Sequence, residues 1–280
     1  INTPGGGYQS QNYALQFTGD TNGSTRRGDL VVTDFNPDTY NLNLGFTISY
    51  WVRPNEVGAS KMALGRKFND KQRFSFGINK AHQVYSETGK NKLTKNIATG
   101  LDTPLEAALM NSDNQFRDDG TWYHFVVTYD DRANTSSGAA RKLYINGVLR
   151  QTGTINWNET GGTITNGAPA GNDGMLFGAR NVNTTAGYSY GWACNLHQVA
   201  IYDTAQDATW VADTWNDRTK DHTGASNLVG YWKFNEGTGT TITDHSGNGN
   251  HAEFGPIAGN TTAFPTWSTD VPTSSNTPKP

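Results

Sequence analysis

An all-β fold is predicted by three features of this 280-residue chain: 32 glycines, 11% aromatic residues against only 17% charged ones, and short alternating runs separated by turn residues. The first run, YALQF from Tyr13 to Phe17, alternates cleanly. FTISYWVRP (Phe46 to Pro54) places Phe46, Ile48, Tyr50 and Val52 on one face before proline ends it. RFSFGIN (Arg73 to Asn79) repeats the period-two pattern, and WYHFVVTYD (Trp122 to Asp130) carries bulk on both faces, as an inner strand does.

In RKLYINGVLR, Asn146-Gly147 stands between two alternating runs and supplies the positive φ angles of a type I′ hairpin turn. MLFGAR and HQVAIYD (His197 to Asp203) add two more strands. Thr204, Asp207, Val211 and Trp215 then suit one capped helix of two or three turns. Between Asn79 and Gly120 the periodicity fades into a long polar stretch, with one helical turn at Leu105 to Met110 at most. The last strand signal is LVGYWKF, followed by Gly-Thr-Gly-Thr and a loop dense in oxygen atoms. Residues 261–280, rich in Pro, Ser and Thr, have the composition of a tail.

A formal charge of −3, with Lys and Arg scattered rather than clustered, argues against nucleic acid or an anionic membrane as partner. No apolar run reaches the length of a membrane span. A single cysteine, Cys194, precludes an internal disulfide and is expected to be a buried, inert thiol. Ile1 is not an initiator residue, so the chain is expected to be processed or a fragment.

Taken in order and spacing, FTISYWVRP, GTWYHFVVTYD, KLYINGVLR, MLFGAR and HQVAIYDTAQD resemble the laminin G-like branch of the concanavalin A-like lectin/glucanase superfamily. The resemblance runs from about Tyr13 to Phe254. It implies a two-sheet antiparallel jelly-roll sandwich with one short helix, occupying residues 1–260. In that family a segment like 228–254 commonly opens the domain, whereas here it comes last. Too few residues follow Phe254 for a second sandwich, so this segment is expected to close the first one beside the N-terminal strand. Completing a neighbouring copy is the alternative.

Asp244, Ser246, Asn248 and Asn250 offer oxygens at every second position around Gly249, which suits a hard cation such as Ca²⁺. An EF-hand is ruled out, because Gly255 stands where the bidentate Glu would be and strands flank the loop. The alternative is an Asx-rich turn satisfied by its own backbone. The resemblance implies a structural Ca²⁺, yet the family's frequent Ile-Asp-Glu-Val stands here as Leu196-His197-Gln198-Val199, with both acids lost. His245 and His251 flank the loop without the paired spacing of a zinc site.

Glycan recognition is the other site expectation, because sugar rings stack on exposed aromatics while amides bind hydroxyls. Tyr188, Tyr190 and Trp192 alternate, with Asn183 and Asn195 nearby; the same alternation serves a sandwich core. Catalysis is not expected. Glucanase members of the superfamily use carboxylates spaced along one strand, and the adjacent pairs Asp118-Asp119 and Asp130-Asp131 point to opposite faces. His124 sits among bulky residues with no nucleophile placed beside it in the sequence.

These readings converge on a non-enzymatic, lectin-like module that is extracellular, at a cell surface or on a virion, contacting glycans or neighbouring subunits. A purely structural or decorating protein of a particle and a free carbohydrate-binding lectin are the alternatives. Laminin G-like domains occur in bacterial surface proteins and among marine phage structural proteins, which is what the resemblance contributes here.

Overall fold

Phe46, Ile48, Tyr50 and Val52 share one face of a strand and are all buried in one core. A computed structural model of the chain describes residues 12–19, 31–36, 39–40, 42, 44–56, 61–67, 73–78, 84–89, 120–133, 141–153, 174–181, 188–189, 191–255 and 264–277. Among them the strands are, in order, β1 (Ala14–Thr18), β2 (Val31–Thr33), β3 (Gly45–Pro54), β4 (Lys61–Lys67), β5 (Arg73–Ile78), β6 (Val84–Gly89), β7 (Tyr123–Asp130), β8 (Arg141–Ile145), β9 (Val148–Gly153), β10 (Leu176–Phe177), β11 (Arg180–Asn181), β12 (Tyr188–Ser189) and β13 (Ala193–Tyr202). The helix α1 (Ala208–Asn216) follows, then β14 (Leu228–Trp232), β15 (Thr241–Ile242), β16 (Ala252–Phe254) and β17 (Thr266–Ser268).

An eight-stranded sheet runs β17-β1-β13-β3-β7-β8-β9, with β14 also on β13, and a seven-stranded sheet runs β15-β16-β2-β10-β4-β5-β6. Every pairing in both is antiparallel. The core lies between them: Phe17, Ile48, Phe125, Leu143 and Ile201 come from the larger sheet, and Leu64, Phe76, Phe177 and Phe254 from the smaller. Trp232 bridges the two, edge-on to Phe35 at 5.9 Å and to Phe177 at 5.1 Å between ring centroids. Burying a side chain of this size contributes about 2–3 kcal/mol, so the closing segment is part of the core rather than an appendage.

The hairpin turn forms as expected, with Asn146 at φ 53° and Gly147 at φ 77°. Gly178, at φ 80°, is needed for space as well, since a Cβ there would lie 2.3 Å from the Phe17 ring. Asp207 caps α1 by accepting the Trp210 amide at 2.8 Å. The helix covers the outer face of the larger sheet: Trp215 stacks on Trp51 at 5.3 Å, and Val211 packs with Val126 and Tyr144.

Three expectations are corrected. The closing strand β14 does not lie beside β1. Both strands pair with the same edge of β13, β1 with Ala193 to Leu196 and β14 with Val199 to Tyr202, so they follow one another end to end. The strand on the other side of β1 from β13 is β17, inside the stretch expected to be a tail, with Leu15 opposite Trp267. Within the long polar stretch Val84–Gly89 forms strand β6 against β5; Leu105 to Met110 lies outside the described residues.

Candidate functional site

The loop after β15 gathers its four oxygen-bearing residues as expected, but it uses them on the protein. Asp244 Oδ1 accepts the amides of Tyr231 at 2.9 Å and Ser246 at 2.8 Å, and Oδ2 accepts the Ser246 hydroxyl at 2.7 Å and the Asn250 amide at 2.9 Å. Four donors occupy the carboxylate's four acceptor directions. Asn250 turns its amide NH₂ to the Val229 carbonyl and the Tyr40 hydroxyl, both at 2.8 Å, and Asn248 turns its own to the Leu228 carbonyl at 3.2 Å. The loop thus uses these groups as an Asx-rich turn, and among the described residues no group of three or more His, Cys, Asp or Glu could hold a metal. His251 Nδ1 accepts the Asp244 amide at 3.2 Å, another bond within the turn.

Of the expected glycan-binding residues, Trp192 and Asn195 are fully buried, which removes the exposed face a sugar would need. Trp192 belongs to the core between the sheets and donates its indole N–H to the Glu56 carbonyl at 3.1 Å. Tyr188 lies in β12 opposite Asn181. Asn183 and Tyr190 lie outside the described residues.

Asn195 joins instead a polar network that the sequence did not reveal. Arg53 donates to Asp270, to Asn55 Oδ1 at 2.9 Å and to Asn195 Oδ1 at 3.4 Å, and Trp122 Nε1 donates to Asp270 Oδ1 at 3.2 Å. The Trp122 amide also donates to the Asn276 carbonyl at 2.8 Å. This network fastens the C-terminal segment across β3 and β7. Arg53 and Asp270 are 217 residues apart, and no local pattern could have announced the pair.

Ser49 and His124 come within 2.8 Å of each other, a distance at which a base activates a hydroxyl. Both are buried, with His124 stacked on Trp51 at 4.6 Å. His124 Nδ1 has no hydrogen-bond partner, so no carboxylate orients the ring. Burial lowers the His124 pKa to about 3, with smaller repulsive contributions from His222 and Arg218. Burial likewise lowers His197, which contacts the Tyr13 carbonyl at 2.8 Å, and His222, which bonds the Tyr202 hydroxyl at 2.8 Å, each to about 4. At neutral pH these three are uncharged packing residues. At the end of β7, Arg132 engages Asp130 with both carboxylate oxygens, at 2.9 and 3.0 Å, and holds its carboxyl below the usual range. Asp118 and Asp119 lie outside the described residues.

The chain's fold is similar to that of a candidate carbohydrate-binding protein from Bacteroides ovatus, with a TM-score of 0.57 at 17% identity over 92% of this chain; the match spans 60% of that protein's length. A heptameric SAP-like pentraxin from Limulus polyphemus matches with a TM-score of 0.47 at 13% identity, over 89% of this chain and 98% of the pentraxin. The NanB sialidase from Streptococcus pneumoniae matches with a TM-score of 0.42 at 13% identity, over 73% of this chain and 28% of the sialidase. No curated protein matches the chain. The laminin G-like family model matches residues 22–212, most of the chain and the greater part of both sheets, and the chain belongs to this family of the concanavalin A-like lectin/glucanases superfamily.

Proposed function

We propose that the chain is a non-enzymatic carbohydrate-binding module, displayed extracellularly at a cell or particle surface, where it contacts glycans and neighbouring subunits. The observation that carries the reading is the laminin G-like sandwich itself, matched over residues 22–212 and similar in structure to a candidate carbohydrate-binding protein. Non-catalytic action is supported by the state of the nearest catalytic look-alike: Ser49 and His124 are buried beneath a helix. Since α1 and the C-terminal segment cover the outer face of the larger sheet, glycan contact falls to other surfaces of the sandwich. Binding is independent of a cation at the Asp244 loop, whose carboxylate is engaged by four donors of the protein.

A glycan array probed with the purified chain, with and without chelator, tests this together with sedimentation of the same sample. Saturable binding to a defined set of glycans, unchanged by chelator, supports the proposal. Self-assembly with no glycan bound would favour a purely structural role.

A further inference from the structure

Trp267 stands in β17, the edge strand of the larger sheet, opposite Leu15 of β1. Cross-strand partners share a face and Leu15 is a core residue, so the indole lies on the inner side, where the sandwich opens at its edge. β15 forms the edge of the smaller sheet, and the turn leading into it reaches the same place: the Gly239 carbonyl accepts the Trp267 indole N–H at 3.0 Å. Phe254 of β16 lies against both Trp267, at 5.8 Å between ring centroids, and Phe264, at 6.4 Å.

Phe254 is 7% exposed, but Phe264 is 39% exposed and Trp267 is only partly buried, so a solvent-facing pair of rings rests on a buried one. Among the described residues the exposed large hydrophobics are Leu44, Leu149 and Phe264, and only Phe264 is aromatic. The bond to Gly239 holds the indole in one orientation, which lowers the entropy a ligand would have to remove. A Cβ built on Gly239 would meet nothing within 4 Å, so the space on that side of the turn is open. Thr238 and Thr240 on either side of Gly239 are exposed, and neither residues 237–242 nor residues 264–268 include a charged side chain. Glu253 points to the opposite face of β16 from Phe254.

We propose that Phe264 and Trp267 form a stacking platform for one neutral sugar unit of a glycan. A pyranose presents a flat C–H face that packs on an aromatic ring, and an uncharged rim bearing threonine hydroxyls suits its hydroxyl groups rather than a carboxylate or phosphate. Two partly exposed rings offer far less than the roughly 800 Å² per partner of a stable protein interface, whereas they match a single sugar in size. The sugar assignment rests on the carbohydrate-binding reading above; the position rests on the geometry of this edge.

An array carrying neutral, sialylated and uronate-containing glycans, probed with wild type, Phe264→Leu, Phe264→Tyr and Trp267→Leu, tests it, with melting temperatures recorded for all four. Wild type is expected to bind neutral glycans. Phe264→Leu, which stays apolar but loses the flat ring, should bind them about tenfold more weakly at a melting temperature close to that of wild type. Phe264→Tyr, which keeps the ring, should stay within about twofold of wild type. Trp267→Leu should lose binding and some stability together, because its ring also packs on the core. Equal binding by wild type and Phe264→Leu would overturn the site and leave the lectin reading standing. Acidic glycans bound in preference, and lost in Phe264→Leu, would overturn the neutral assignment. No glycan bound by wild type would overturn the carbohydrate reading and the sugar assignment with it, and self-association lost in Phe264→Leu would then give the rings to a second copy. A large fall in melting temperature for Phe264→Leu would overturn the site by making Phe264 a packing residue.

Discussion

The carboxylate of Asp244 accepts the backbone amide of Tyr231 at 2.9 Å, tying the turn after β15 to the middle of the strand that closes the larger sheet. Trp232 and Asp244 also form an isolated antiparallel bridge, and the Trp232 indole donates to the Asn250 carbonyl at 2.8 Å. Turn and strand are thus one unit. Replacing Asp244 with Ala leaves buried amides without acceptors and should cost about 3 kcal/mol or more. Chemical denaturation checks this. Melting temperatures of the wild type should be equal in chelator and in millimolar Ca²⁺, whereas a rise with Ca²⁺ that Asp244→Ala abolishes would restore the cation.

Asp270 connects Arg53 and Trp122, which stand on different segments of the larger sheet, to the C-terminal stretch. Asp270→Ala should destabilise by about 2 kcal/mol, since a partly buried guanidinium loses its charge-assisted bond. Deleting residues 264–280 should cost more, because it also strips β17 from β1 and uncovers an edge. An unchanged unfolding midpoint for the deletion would refute this role.

Most strands of five or more residues were legible because alternation over that length separates two faces, Phe46, Ile48, Tyr50 and Val52 being the plainest case, whereas β4 and β6, of seven and six residues, were not read. Short strands such as Val31–Thr33 and Thr266–Ser268 carry no readable period and are defined by partners far away in sequence. Simple alternation along LVGYWKF sets Val229 and Trp232 on opposite faces, yet both enter the core, because Val229 is an extra residue at a bulge opposite Ile201 and Tyr202. At the candidate site, the spacing of Asp244, Ser246, Asn248 and Asn250 revealed a tight oxygen-rich loop. Whether those groups face a cation or backbone depends on how closely β14 approaches, which spacing does not contain. Trp192 posed the same difficulty, since alternating aromatics are written alike for a core and for a sugar platform.

Trp192→Ala should destabilise by about 3–5 kcal/mol, the usual penalty for emptying a large core position. Its effect on glycan affinity should then follow the folded fraction only. Undiminished stability together with lost affinity would return Trp192 to the binding surface.

Stability should fall as pH drops from about 6.5 toward 4. His124, His197 and His222 have folded pKa values of about 3, 4 and 4, below the roughly 6.5 of an unfolded chain. In that window the unfolded state binds more protons, so stability is full above about pH 6.5 and is lost on acidification, on the order of 2 kcal/mol per histidine by about pH 5. Urea midpoints measured across this range check the sign; a flat profile would mean that these rings are not buried neutral.

The most direct measurement is calorimetric titration of an array-selected glycan into the folded chain, with the glycan recovered and analysed afterwards. A non-enzymatic carbohydrate-binding module predicts saturable single-site heat and a chemically unchanged glycan. No heat with any glycan, or recovery of a cleaved product, would contradict it.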